Sequence, residues 1–174
     1  MKLAIFGVGG FGREVYHQFK KDYDSVIFII DDEYFRSNID YGFETIPLSK
    51  FDPSEYFAVV AVGNPTDRKN IVERFPKDTV WATLVHPTAT ITALDVNIGE
   101  GSIVCAGSIL TTNIEIGKHT HLNPLTTIGH DVVTKDFFTT APGAKISGTC
   151  TIGECVYFGT NSSVREKISI CDNV

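Results

Sequence analysis

The hydrophobic pattern of the chain changes rhythm once, near residue 85. Before that point, short apolar runs alternate with turns and amphipathic stretches: LAIF at 3–6, SVIFII at 25–30 and YFAVVAVG at 56–63. Runs of this length bounded by turn residues read as buried strands. Between the first two, a glycine turn leads into GREVYHQFKKDY, where Val15 and Phe19 share one helical face. PTDRKNIVERF at 65–75 opens on proline, which suits the first turn of a helix. Strand and helix alternate, so the pattern predicts a parallel α/β sheet of Rossmann-like type. A last strand, VWATLV, leads to His86-Pro87, and the boundary is expected between residues 84 and 85.

After the boundary the period becomes six. Stepping from Ile98 gives Val104, Leu110, Ile116, Leu122, Ile128, Thr134, Thr140, Ile146, Ile152, Phe158, Val164 and Ile170, all apolar except the two threonines. The same step from Glu100 meets only Ala106 among aliphatics. This period fits neither a helix nor an amphipathic strand, but it matches a hexapeptide β-helix in which three six-residue faces close one triangular coil. The expected fold is therefore an α/β domain over 1–84 followed by a left-handed parallel β-helix over 85–174. With eighteen residues per coil, 98–174 gives about four and a quarter coils, stacked as a solenoid. Small residues recur beside the aliphatics, as at Gly99, Gly117, Gly129 and Gly153, or Ser102, Ser108, Thr120 and Thr126. They are expected where the chain turns its corners in left-handed or crowded conformations.

Composition narrows the function. The 174 residues carry a net charge of −6 and no basic cluster, which argues against nucleic acid or an anionic membrane as partner. No apolar stretch is long enough to span a bilayer. The start, MKLAIFGVGGFG, lacks a small-x-small cleavage site and runs into charged residues, so a buried strand with a glycine turn is expected rather than a signal peptide. Cys105, Cys150, Cys155 and Cys171 have no metal-ligand spacing, so reduced thiols in a cytoplasmic protein are expected.

Two constellations carry chemistry. Gly7, Gly9 and Gly12 form GxGxxG, with Gly10 added, between a strand and a helix, and Asp31 follows at the end of the second strand. That is dinucleotide spacing, and an NAD enzyme is one reading. The α/β part is only half a dinucleotide fold, however, which favours one nucleotide held by its phosphates at the helix N-terminus; a purely structural glycine turn is the plain alternative. In the solenoid, His130-Asp131 pairs a group suited to proton abstraction at neutral pH with a carboxylate able to orient it. A solvated surface histidine is the plain alternative. Gly148 lies eighteen residues on, directly above His130 in the stack, where an open N–H could meet an oxyanion; a corner glycine with positive φ would also explain it. His119 and His121 form HxH, but no cysteine or carboxylate cluster completes a metal site; they are read as surface-facing and no metal is expected. Asn123 sits at a corner, as a substrate contact or as an asparagine tolerating left-handed dihedrals.

The segments GVGGFGREV, Asp31-Asp32, AVGN at 61–64, HPTATI at 86–91, IGHDVV at 128–133 and PGAKISG at 142–148 resemble the sialic acid O-acetyltransferase / nucleotide-amino-sugar N-acetyltransferase family, hexapeptide-repeat acyltransferases with an N-terminal nucleotide-sugar-binding domain. The resemblance implies acetyl-CoA as co-substrate, a homotrimer formed through the β-helix, and acetylation of an amine or hydroxyl of an activated sugar at the subunit interface. It implies His130 and Asp131 as catalytic. It assigns Gly9, Gly10, Phe11, Asp31, Asp32, Val62, Gly63, Asn64 and Asn123 to substrate, and Gly148 and Thr139 to acetyl-CoA. Several members carry a second histidine where this chain has Thr139, and members commonly continue for another coil beyond the position of Val174. The expected reaction is acetyl transfer to the amine of a nucleotide-linked 4-amino-sugar in polysaccharide biosynthesis. The alternatives are O-acetylation of a sugar of the sialic acid type, and a non-catalytic trimeric nucleotide-sugar-binding protein.

Overall fold

The computed structural model describes residues 1–174. Strands β1 (Lys2–Phe6), β2 (Ser25–Ile30), β3 (Thr45–Pro47) and β4 (Phe57–Val60) form one parallel sheet in the order β3-β2-β1-β4. Helix α1 (Gly10–Phe19) links β1 to β2, and α2 (Pro65–Val72) follows β4. Apolar residues on both faces of the sheet enter separate cores, with Leu3, Ile5 and Phe28 on one side and Ala4, Ile27 and Val60 on the other. The short β3 is set by pairing with Phe28–Ile30 rather than by any apolar run of its own.

VWATLV is not one strand. Trp81 makes a bridge to Ala58 at the edge of this sheet, and Leu84–Val85 then pairs with Ile103–Val104 in the solenoid. The segment stitches the two parts together.

The solenoid has three five-stranded parallel faces. The first holds Leu84–Val85, Ile103–Val104, His121–Leu122, Thr139–Thr140 and Tyr157–Phe158. The second runs from Thr90–Ile91 to Ser163–Val164 and the third from Val96–Ile98 to Ser169–Ile170. Register is eighteen residues, as in His121↔Thr139 and Ile128↔Ile146. The first coil is one residue longer: Leu84 pairs with Ile103 and Thr90 with Ile109. The extra residue lies in the corner at 92–95, from which Leu94 projects fully into solvent. The aliphatics at the six-residue step fill the axis, Val104, Leu110, Leu122, Ile128 and Ile146 among them.

The corners differ from expectation. A left-handed residue recurs every six positions from Gly101 to Asn173, and apart from Gly101, Gly107 and Gly143 these are not glycines; Leu125, Phe137 and Lys167 are examples. Gly99, Gly117, Gly129 and Gly153 have no positive φ. A Cβ on any of them would stand 2.3 to 2.7 Å from the backbone of the next coil. Glycine at those sites serves close approach between coils, not turning.

Candidate active site

Asp131 occupies one of the left-handed corner positions, with φ of 60°. In a flat strand it would point away from its neighbour; the turn instead swings its carboxylate against His130, whose Nδ1 lies 2.6 Å from Asp131 Oδ2. Both side chains are exposed, His130 at 62%. The second carboxylate oxygen accepts a hydrogen bond from Asn113 Nδ2 at 2.5 Å. That bond first, and the one to His130 second, hold the Asp131 carboxyl below its ordinary range. An ionised Asp131 favours the tautomer with a proton on Nδ1, which leaves Nε2 free to accept one.

Gly148 lies one coil above. A Cβ there would stand 2.6 Å from both Cε1 and Nε2 of His130, so the ring rests on the glycine backbone. Gly148 is not among the residues with positive φ, which sets aside the corner-turning explanation. Its N–H has no hydrogen-bond partner within the chain. A proton acceptor and an unengaged backbone donor therefore share one exposed corner.

This corner joins the second and third faces. The N-terminal sheet covers the first face, so His130 lies at the vertex away from the glycine loop of its own chain. At the loop, Gly9 precedes α1 and Gly10 opens it, and a Cβ on either would meet nothing within 4 Å. Gly12 is different: its Cβ would collide with the Gly7 carbonyl, so it serves helix–strand packing. Phe11 is half-buried and packs on His121, ring centroids 4.9 Å apart. Asn64 caps α2, its Oδ1 accepting from the Asp67 N–H at 3.0 Å. The Asp31 carboxylate is engaged by both terminal nitrogens of Arg74, and Asp32 accepts from the backbone and hydroxyl of Ser49. An open groove of about 710 Å³ runs between α1 and the solenoid, lined by Gly10, Arg13, Glu14, His17, Gln18, Pro124 and Pro142. Asn123 uses its amide structurally, donating from Nδ2 to the Thr140 carbonyl at 2.7 Å.

Three residues lie where the sequence did not lead us to expect them. His119 and His121 are buried, not surface-facing, because the N-terminal unit covers the first face. Thr139 shares that face and is 1% exposed, so it does not join His130 or any surface open to a co-substrate. All three surround Arg68, a fully buried arginine from the polar helix α2. Its guanidinium donates to the carbonyls of Val62, Gly63, His119, Phe137 and Phe138 and to Thr139 Oγ1, and lies 3.2 Å from His121 Nδ1. Arg68 thus ties the Val62-Gly63 turn to the solenoid. No carboxylate pairs with it; burial lowers its pKa to about 9, and it stays charged at neutral pH. Burial first, and Arg68 second, push His119 down to about 4 and His121 well below its ordinary value. No group of three or more His, Cys, Asp or Glu side chains converges as a metal site would.

Residues 2–75 match the family described as the PglD N-terminal domain. Over 175 residues the chain is 28% identical to GDP-perosamine N-acetyltransferase of Escherichia coli O157:H7, covering 95% of this chain and 78% of that protein. The acetyltransferase domain of PglB from Neisseria gonorrhoeae FA1090, solved with acetyl coenzyme A, matches with a TM-score of 0.86 and 28% identity over 98% of this chain and 85% of that one. PerB from Caulobacter crescentus, solved with CoA and GDP-perosamine, has a TM-score of 0.86 over 99% of this chain and 84% of that one; at 19% identity it shows the shared fold. The class defined by this fold and these likenesses is that of acetyltransferases built on a hexapeptide solenoid. Within it, the relative that spans most of this chain is an N-acetyltransferase of a nucleotide-linked amino sugar, in keeping with the sequence resemblance. No helix is long and apolar enough to cross a membrane.

Proposed function

We propose that the chain transfers the acetyl group of acetyl-CoA directly to the amine of a nucleotide-linked 4-amino-sugar, with His130 as general base. The observation that carries this reading is the His130–Asp131 pair resting on Gly148 at an exposed corner. As the neutral amine attacks the thioester carbonyl carbon, His130 Nε2 takes the proton the nitrogen must lose. Asp131 stabilises the imidazolium. The Gly148 N–H meets the oxygen that becomes negative. The C–S bond then breaks, and His130 returns its proton to the departing thiolate, giving CoA and the amide.

We read residues 1–84 as a Rossmann-like nucleotide-sugar-binding unit and residues 85–174 as a left-handed acyltransferase solenoid. Gly9, Gly10 and the Val62-Gly63-Asn64 turn would hold the nucleotide-sugar, with Phe11 and the acidic pair behind them in supporting contacts. Since His130 lies at the vertex opposite the face that the N-terminal unit covers, sugar and base come together between neighbouring copies. A homotrimer in the cytoplasm is the assembly proposed.

The test is turnover of acetyl-CoA against a panel of nucleotide-linked sugars. Acetylation of a 4-amine is the expected outcome. Acetylation of hydroxyls alone would turn the reading to a sugar O-acetyltransferase, and binding without turnover to a non-catalytic protein. A monomer by sedimentation at micromolar concentration would remove the interfacial site.

A further inference from the structure

Asp131 holds His130 from an exposed position. Its carboxylate is 47% exposed, at the tip of a corner, and an exposed carboxylate is free to rotate and to exchange its partner for water. What limits it is one coil below. Asn113 occupies the corresponding left-handed position, φ 52°, eighteen residues before Asp131, and its Nδ2 donates to Asp131 Oδ1 at 2.5 Å while His130 occupies Oδ2. The two oxygens are thus pulled from opposite sides, and the plane of the carboxylate is defined.

Asn113 is itself held. The Asp95 carboxylate, a further eighteen residues back, accepts from the Thr112 hydroxyl at 3.1 Å, and the Asp95 carbonyl accepts from the Ile114 N–H at 3.1 Å, so both neighbours of Asn113 are tied to the coil below. The Thr112 carbonyl in turn accepts from the Asp131 N–H at 3.1 Å. Three successive coils therefore present Asp95, Asn113 and Asp131 as a ladder ending on the imidazole. The middle residue type is constrained twice. It must accept a left-handed backbone, which asparagine does more readily than most residues. It must also donate to Asp131, and a negative charge there would repel that carboxylate.

We infer that Asn113 is a positioning residue for the acetyl-transfer site, fixing through Asp131 the tautomer and orientation of His130. This rests on the general-base reading of His130 above. The charged groups along the same corner are Asp95, Asp131, Arg165, Glu166 and Lys167.

The test uses the full chain labelled with 15N-histidine. Long-range 1H–15N correlation reports which ring nitrogen of His130 carries the proton in its neutral form. The wild type should be protonated on Nδ1. Asn113→Gly keeps the left-handed backbone without strain and removes the donor; Asn113→Asp keeps the shape and adds a like charge. Both should shift His130 toward the Nε2-protonated form. Both should also lower kcat by roughly ten- to a hundred-fold, the range for misplacing a catalytic group through its support, with the KM for acetyl-CoA within about twofold. Asn97→Ala breaks a comparable amide–carboxylate pair, to Glu115 at 2.6 Å on the third face, and should change neither. An unchanged Nδ1 tautomer in the Gly and Asp variants overturns the inference. If the tautomer shifts but His130→Ala keeps full turnover, the alignment by Asn113 stands and the general-base reading fails instead.

Discussion

Gly148 lies so close against the imidazole of His130 that a methyl group there would sit 2.6 Å from both Cε1 and Nε2. A contact that short has no room for adjustment of the glycine, whose own coil is fixed by register pairing on either side. Gly148→Ala should therefore move the ring and not the backbone. Loss of kcat by roughly ten- to a hundred-fold is expected, with a melting temperature within a few degrees of wild type. A variant that keeps full kcat would show that the ring position is not set by this glycine.

Removing the base itself should cost more. His130→Ala should keep the fold, since the side chain is exposed, and lower turnover by roughly two to four orders of magnitude. Asp131→Asn should fall in the same range, because an amide in place of the carboxylate can favour the wrong tautomer. Steady-state kinetics against pH would compare them. The Asp131 carboxyl is held low by Asn113 and His130, so it stays ionised to lower pH than an ordinary carboxylate, and Asn113→Gly should move its protonation back toward the ordinary range.

Arg68 makes a different prediction, about stability. Its guanidinium donates to five backbone carbonyls, and those of Val62, His119 and Phe137 have no other donor in the chain. Arg68→Met should destabilise the protein by on the order of 3 kcal/mol in denaturant titration, with the N-terminal unit loosened from the solenoid.

The same cluster sets an acid limit. His119 and His121 have pKa values below those of an unfolded chain, so the folded state binds fewer protons. Their contribution is fully present above about pH 6.5, the unfolded value. It is lost as pH falls from there toward about 4, the folded value for His119, at up to about 1.4 kcal/mol per pH unit for each ring. His121→Asn should flatten that slope in thermal melts between pH 7 and pH 4.5.

For the glycine loop, Gly10 faces open space and lines the groove beside α1, so a bulky side chain fits without disturbing the fold. Gly10→Trp should raise the KM for the nucleotide-sugar well above tenfold and leave that for acetyl-CoA nearly unchanged. Calorimetry supplies the contrary outcome: tight NADH binding with no response to any nucleotide-sugar would return the loop to the dinucleotide reading.

Much of the solenoid was legible because each axial residue meets the same environment every sixth position, and the stacking of Gly148 over His130 followed from counting alone. The extra residue at 92–95 was not, since a corner that bulges outward leaves the apolar rhythm on either side intact. The left-handed positions were hidden too: backbone conformation there is imposed by the coils above and below, so side chains as different as Leu125, Phe137 and Lys167 occupy them. Arg68 left no signal, because a polar helix looks solvated until another unit covers it. One clue existed. Ile103 is apolar and fully buried at an outward-facing position of the first face, whereas Ile109 on the second face is exposed.

The strict coil has a consequence for how such a chain can vary over generations. Beyond the first coil, removing one residue from a strand would rotate every later side chain out of phase: axial aliphatics would reach water, and the alignment of Asn113, Asp131 and Gly148 would be scrambled. Substitutions are local, but a change of length is not. The lineage is thus expected to gain or lose material in whole turns, or as outward loops such as the one already present at 92–95, and length differences among descendants should cluster at multiples of eighteen.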